Sequence, residues 1–452
     1  SDGILPASSY LDGVRLRLGA FAYSRIPTLF WLSSTDATLS LGCGLGVALS
    51  GALLLGIAPR LVLALLWLLY LSFVPVGQIF LGYQWDYLLL ETAFLGIWIA
   101  PPVLRSRLTT DPPVGRAALF LGRWLLFRLV LLSGAVKLFS GDPNWWSLRA
   151  MDFHYWTQPL PAWTSLFAHF LPPSAHTLSS AATFAVELGV PFLIIGPRRP
   201  RLLAAASIVA LQVVIGATGN YGFFGLLTVT LCVLLIDDAS WRRLLPARIT
   251  TVPAKPPGPT TLRTVAFGIF ATAIVLVTGA QGVRRVLGRD ALPDGIQTAL
   301  AFTAPLRSFN SYGLFAVMTT DRTEITVEGS NDLRTWKPYE FRYKPDRLDE
   351  APRFVQPHMP RLDWQLWFAA LHRSCRRDPW FVQFVERLLH GSAPVRSLLA
   401  YDPFGDVPPR YIRARLYRYR FSQEPGRWWD REPIGDYCPT LTLRAGRVQR
   451  VR

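Results

Sequence analysis

AALFLGRWLLFRLVLLSGAVKLF, the stretch Ala117–Phe139, decides the fold class of this chain. A helix of about 20 mostly apolar residues crosses the roughly 30 Å hydrocarbon core of a bilayer, and this one is interrupted only by Arg123, Arg128 and Lys137. Outward from it the pattern repeats. Leu39–Ala58 and Leu61–Leu81 flank a turn at Pro59-Arg60, and Tyr87–Leu104 ends at Pro101-Pro102. Thr177–Gly196 follows, then Leu202–Thr218 and Tyr221–Ile236, split by Gly219-Asn220, and finally Leu262–Val286. These runs predict an α-helical polytopic membrane bundle of about eight spans. Val14–Leu32 is broken by Arg15, Arg17 and Arg25 and reads as interfacial.

Composition agrees with a membrane region joined to a water-soluble one. Hydrophobic residues make up 51% of the 452 positions and charged residues only 17%, and the apolar ones thin out after about residue 305. The expected organisation is an interfacial segment 1–38, a bundle 39–287 with an exoplasmic loop 140–176, a linker 288–304 and an α+β domain 305–452. The net charge of +17 is carried almost wholly by arginine, the four lysines being Lys137, Lys255, Lys337 and Lys344. No basic tract with interleaved aromatics and no nucleic-acid-binding motif accompanies it, which argues against nucleic acid as a partner. An Arg-rich, Ala-, Leu- and Pro-rich chain fits a GC-rich bacterial genome.

The basic residues sit in loops, where they set topology. One side holds eleven: Arg60, Arg105, Arg107, Arg116, Arg198, Arg199, Arg201, Arg242, Arg243, Arg248 and Lys255. The other holds seven: Arg15, Arg17, Arg25, Arg149, Arg284, Arg285 and Arg289. The first side is therefore expected in the cytoplasm. The N-terminus, the loop 140–176 and the C-terminal domain then face the periplasm of a bacterium or the lumen of the endoplasmic reticulum. The sequence starts at Ser1, and an upstream span would supply such an N-terminus with its route across.

Charge at membrane depth is costly and is normally paired or functional. Glu91, Arg128, Lys137 and Glu187 make an intramembrane polar network on this reading. Arg128 needs a carboxylate, and Glu91 and Glu187 both qualify. Lys137 reads in two ways, as a cation snorkelling to the interface or as a desolvated base. After it the loop runs GDPNWW (Gly141–Trp146) and MDFHYWTQP (Met151–Pro159). Interfacial anchoring explains the tryptophans but not Asp152 and His154, which make this loop a contact candidate. Cys43 and Cys232 lie in apolar runs. Cys375 and Cys438 both fall in the C-terminal domain, where spacing alone leaves a disulfide open. No metal-binding pattern occurs.

In the C-terminal region Thr323–Glu328 and Tyr339–Tyr343 alternate like paired strands around Gly329-Ser330-Asn331-Asp332. Asp363–His372 and Pro379–His390 have helical periodicity, with Asp363 and Asp378 as N-caps. Pro409–Phe421 reads as a strand with Tyr411, Tyr417, Tyr419 and Phe421 on one face. It is either a half-buried strand or a client-binding edge. Together these predict an antiparallel sheet.

Several of these stretches resemble the lipase maturation factor family. They are Gln84-Trp85-Asp86 with Leu89–Thr92, Arg123–Arg128 continuing to Lys137 and Gly141-Asp142, and Met151–Tyr155 with Thr157-Gln158-Pro159. Glu187–Phe192, Gly219-Asn220, Asp237-Asp238, Asn310–Phe315, Arg361–Trp364, Trp367–Ala370, Asp402-Pro403-Phe404 and Tyr417–Tyr419 extend the likeness over nearly the whole chain. The resemblance implies a membrane-embedded factor for folding and maturation of secreted clients. Animal members help lipases reach their active dimeric form, with the C-terminal domain in the lumen. Expected partners are membrane lipids and a secreted client such as a lipase, with no cofactor. Client-contact candidates are Asp152, His154, Tyr155, Asn310, Tyr312, Asp363, Trp364, Tyr417 and Tyr419. A weaker likeness, over Gly134–Trp146, is to the membrane domain of vitamin K-dependent carboxylases. It implies an alternative, a membrane enzyme with Lys137 as base, His154 and Glu187 in support, and a lipid or quinone-like ligand.

Overall fold

The computed structural model describes residues 2–107, 111–244 and 261–451. Arg248 and Lys255 lie outside the described residues. The N-terminal region is helical and the C-terminal region is built on an antiparallel sheet. The first helix is α1 (Ala7–Leu18). It is followed by α2 (Asp36–Leu54), α3 (Pro59–Val76), α4 (Gln84–Ile99) and α5 (Arg116–Phe139). Next come α6 (Ala150–Thr157), α7 (Pro173–Phe184), α8 (Arg198–Ala217), α9 (Phe224–Val233) and α10 (Thr261–Leu287).

Five helices among the described residues, α2, α3, α5, α8 and α10, are long and apolar enough to cross a membrane. About eight spans were expected, and the difference from these five lies in three places. Tyr87–Leu104 yields only the 16-residue α4, which stops at Ile99 before the double proline. Tyr221–Ile236 yields the ten residues of α9. Thr177–Gly196 is irregular: α7 runs on at Ala185–Gly189 through a π-turn into the short helix Pro191–Ile194. Pro191 has no N–H to close the α-helical bond to Glu187, so the turn widens. The helix α5 is the axis of the bundle. Of its apolar span 61% is buried, against 6% for α2 on the outside. The segment 288–304, expected to be a linker, carries helix α11 (Asp294–Thr303).

The C-terminal sheet has the order β2-β1-β5-β6-β7, formed by β1 (Arg322–Ser330), β2 (Lys337–Pro338), β5 (Tyr411–Phe421), β6 (Trp429–Arg444) and β7 (Arg447–Arg450). The strands β3 (Glu340–Phe341) and β4 (Leu399–Tyr401) pair separately. Tyr339–Tyr343 was expected to pair with the first strand. Instead Pro338, opposite Glu328, cannot donate to the ladder, and after Tyr339 the chain turns away to β4. Helices α12 (Arg361–His372) and α13 (Pro379–Leu389) cover one face of the sheet. Phe381, Phe384 and Val385 of α13 pack there with Ile325, Val327, Ile412, Ala414 and Leu416.

The aspartates expected to cap these helices do other work. Asp363 is the third residue of α12, and its carboxylate accepts from the Tyr343 and Lys344 N–H groups at 2.9 Å. Asp378 precedes α13 but accepts from the Tyr437 hydroxyl at 2.7 Å and contacts His372 Nδ1 at 3.0 Å. The strand β5 is paired on both sides, to β1 and β6, so it offers no edge for a client. Nor do its aromatics share one environment. Ile412, Ala414 and Leu416 fill the helix-covered core, whereas Tyr419 and Phe421, of opposite parity, pack with Trp429 and with Trp156 from the bundle's loop. The sheet is thus covered on one face by α12 and α13 and on part of the other by the bundle's loop.

A disulfide joins Cys375, between α12 and α13, to Cys438 of β6, with their Cα atoms 5.3 Å apart. The loop it closes spans a sequence separation of 63, for which chain entropy alone gives about 4 kcal/mol. Cys375→Ser is expected to lower the melting temperature of the C-terminal region in an oxidised sample, and reductant should bring wild type down to the variant. Equal melting of the two oxidised proteins would contradict this.

Candidate functional site

The helix α5 organises the charged groups. Arg128 and Lys137 are nine positions apart, which at 3.6 residues per turn places them on opposite sides of the helix. They therefore serve different carboxylates. Arg128 donates to Glu91 of α4 at 2.5 Å, with both side chains almost completely buried. Lys137 pairs with Glu187 at 2.7 Å. Its ammonium donates to both Glu187 oxygens and to the Ser133 carbonyl, committing all three N–H groups. That arrangement is a structural one, and a reading of Lys137 as a base finds no support in it. The π-turn presents Glu187, and Gly134 lets it come close. A Cβ on Gly134 would stand 2.9 Å from Glu187 Cβ and 2.8 Å from Leu188 Cδ2.

Around this axis the C-terminal region is strapped to the bundle. Glu91 also accepts from the Tyr312 hydroxyl at 2.6 Å and from the Asn310 amide groups at 3.3 Å, while Arg128 donates to the Asn310 carbonyl at 2.7 Å. Gly313 exchanges two hydrogen bonds with the Gln84 side chain. Its φ of 153° and its contact with Val136, 2.7 Å from an added Cβ, exclude a side chain there. Further along, Trp145 Nε1 donates to the Phe315 carbonyl, and the Met318 N–H donates to Asp142.

The strongest link is one the sequence reading did not single out. Arg361, at the start of α12, forms a two-pronged ion pair with Asp86 of α4, both contacts 2.7 Å, and Asp86 is fully buried. Arg322 at the head of β1, also fully buried, donates to the carbonyls of Trp156, Gln158 and Pro159. Asn220 donates to the carbonyls of Leu160, Pro161 and Arg353 and accepts from Val355 and Gln356. Asp86, Asn220 and Gln158 stood inside stretches that carry the family resemblance, which was their only signal. Arg322 looked like any charge at a strand end.

These contacts occupy most of the client-contact candidates. The loop 140–176 is the socket of the chain's own C-terminal region. Tyr155, Tyr312, Asp363, Trp364 and Tyr419 are buried and Asn310 is mostly tied up with Glu91, so none offers a free surface. Asp152 pairs with Arg149 and His176. Tyr417 remains on a face of the sheet, half-buried under the Arg431 guanidinium.

His154 belongs to a directional chain. Gln158 Nε2 donates to the carbonyls of Tyr155 and Thr218, which turns its Oε1 toward the Tyr221 hydroxyl, 2.6 Å away. Tyr221 must donate there, so it accepts from His154 Nε2 at 3.0 Å. Burial, and then the nearby Lys137 ammonium, push the His154 pKa down to about 4.

Two outcomes follow from these contacts. Arg361→Ala leaves the buried Asp86 carboxylate without its cation and is expected to cost about 3 kcal/mol, read as a lowered melting temperature and faster protease release of the C-terminal region. Folded His154 stays neutral down to about pH 4, whereas an unfolded chain protonates near 6.5. The unfolded state binds more protons across that window, so the His154 contribution is complete above about pH 6.5 and is lost as the pH falls toward 4. Melting curves at pH 7 and 4.5 should show a smaller drop for His154→Gln than for wild type; parallel drops would remove His154 as the source.

With the geometry in place, the chain can be set beside known proteins. Residues 1–243 match the family model described as the lipase maturation factor transmembrane domain, and residues 308–439 match the lipase maturation factor C-terminal domain. Lipase maturation factor 2 of Xenopus tropicalis is 36% identical over 530 residues, covering 92% of this chain and 75% of that protein. The human lipase maturation factor 2 is also 36% identical, with the same coverage. Lipase maturation factor 1 of Bos taurus is 34% identical, covering 97% of this chain and 83% of its own. No solved structure matches the chain. An integral membrane helical region carrying a strapped-on C-terminal sheet, matched along both parts, belongs to the lipase maturation factor family.

Proposed function

We propose that this protein is a membrane-embedded maturation factor that helps a secreted lipase reach its active form. The observation that carries the reading is the match to lipase maturation factors along both regions. The geometry agrees with it. Glu91, Arg128, Lys137 and Glu187 hold helices and strap together, and a rigidly mounted sheet domain at one end of the bundle suits a docking platform better than a flexible arm. The segments 1–38, 39–287, 288–304 and 305–452 keep their roles in this reading, with residues 294–303 of the third as a helix rather than a tether.

The platform faces the periplasm or the lumen of the endoplasmic reticulum. The Arg and Lys count favours that side, and the Cys375–Cys438 disulfide suits an oxidising compartment. With the loop 140–176 occupied, client contact falls to the open part of the sheet. That is the β5–β6 face around Tyr417, Arg415 and Arg431, where a guanidinium stacks on the Tyr417 ring at 4.9 Å, and the outer strand β7.

The test is expression of the full chain with a secreted lipase in cells lacking their own lipase maturation factors. The ratio of lipase activity to lipase protein in the medium should rise several-fold. Tyr417→Ala with Arg431→Ala should abolish the rise without changing membrane insertion. An unchanged ratio with the wild-type chain refutes the function; a full rise with the double variant refutes only this contact face.

A further inference from the structure

A cavity of about 110 Å³ lies beside the Lys137–Glu187 pair. Its walls are mostly hydrocarbon, with Leu129 and Val130 of α5, Ile208, Leu211 and Ile215 of α8, and Phe224 of α9. A water needs about 10–15 Å³ measured this way, so the space takes a group much larger than one solvent molecule. On its outer side stands α8, only 17% of whose apolar span is buried, so a chain leaving the cavity enters lipid.

The polar end of this space has an unbalanced hydrogen-bond account. Lys137 and Glu187 satisfy one another and cancel in charge. Ser133, Thr183 and Thr228 each donate back to a carbonyl four residues earlier in their own helix. Two cavity-lining groups remain open. Gln212, within the membrane-crossing α8, has no hydrogen-bond partner among the described residues, although its Oε1 is 3.3 Å from where a Cβ on Gly225 would sit. His154 gives its Nε2 proton to Tyr221, as the chain through Gln158 requires, so Nδ1 is a bare acceptor. An unsatisfied amide in the hydrocarbon layer costs several kcal/mol unless something fills it.

We propose that this cavity binds an uncharged single-chain lipid whose head carries free hydroxyl groups, a monoacylglycerol. One hydroxyl donates to His154 Nδ1, and the second exchanges hydrogen bonds with the Gln212 amide. The first methylenes lie against Leu129, Ile208 and Ile215, and the remaining chain passes into the bilayer. An anionic head is disfavoured because the site holds no net positive charge to receive it. The site is independent of which client the protein serves.

The experiment uses the full chain in lipid nanodiscs with a monoacylglycerol carrying a diazirine near the head. Ultraviolet labelling should map to peptides within residues 129–137, 145–154 or 208–228. Gln212→Leu, which breaks no hydrogen bond among the described residues, should cut labelling about tenfold, the loss of one ordinary hydrogen bond. The di-O-methyl analogue and the matching fatty acid should label at background. His154→Leu should behave like Gln212→Leu, and size-exclusion profiles would show that it remains folded. Labelling outside these segments, equal labelling of Gln212→Leu and wild type, or equal labelling by the capped analogue would each overturn the proposal.

Discussion

Two buried carboxylates on one short helix set the terms for the rest of the structure. Asp86 and Glu91 both lie on α4 with no more than 1% of their surface exposed. An unpaired carboxylate in such a place is prohibitive, so each needs a cation and further donors wherever the chain can supply them. Glu91 takes Arg128 from the neighbouring α5 and completes its shell with Asn310 and Tyr312. Asp86 takes Arg361 from the C-terminal region, with the Tyr70 hydroxyl at 2.6 Å and the Tyr83 N–H at 3.2 Å. One helix thus binds the bundle to itself and to the domain that follows it. Neither carboxylate is satisfied until the strap 308–318 and α12 are in place.

The same economy shapes the loop between α5 and α7. Its backbone carbonyls at Trp156, Gln158 and Pro159 point at a single buried guanidinium, that of Arg322. Loop carbonyls this deep need a donor, and the sheet provides one. In return the loop gives Trp156 to the aromatic cluster under Tyr419, Phe421 and Trp429. The cores of the two regions are continuous at this point, and that is why β5 changes its buried side between Leu416 and Tyr419.

Much of this was legible in the sequence, and the parts that were not share a cause. Charges inside apolar runs announce themselves, as Glu91, Arg128, Lys137 and Glu187 did, because burial makes them expensive. Partner choice for Arg128 was also within reach: nine positions put it on the opposite side of α5 from Lys137, so one carboxylate cannot serve both. The pairing of Asp86 with Arg361 was not, since the two are 275 positions apart and each reads as an ordinary helix-terminal charge. Five helices rather than about eight have the length to cross a membrane among the described residues, because an apolar run is not yet one long helix. Pro191, the Gly219-Asn220 turn and the double proline at 101 remove turns from segments whose composition alone is sufficient. The burial of Tyr155, Tyr312, Asp363, Trp364 and Tyr419, all named as client-contact candidates, has a related reason. In a one-domain reading Tyr312, Trp364 and Tyr419 have no interior left to fill, whereas two regions sharing an interface create one.

That shared interface also constrains where function can sit. A sheet covered by α12 and α13 on one face and by the bundle's loop on part of the other leaves the Tyr417 side and the edge strands β2 and β7 open to a large partner. The bundle, in turn, has its charges locked in pairs, and its remaining chemistry is the neutral pair of His154 Nδ1 and Gln212 at the end of an apolar cavity. The proposed client face and the proposed lipid cavity therefore lie on either side of the loop 140–176, which touches both. A client pressing on the sheet and a lipid entering the cavity would each act on the Gln158–Tyr221–His154 chain. Arg322 reaches it from the sheet at the Gln158 carbonyl, and the cavity reaches it at His154. Any coupling between the two has its shortest route there, through three side chains whose hydrogen bonds all run in one direction.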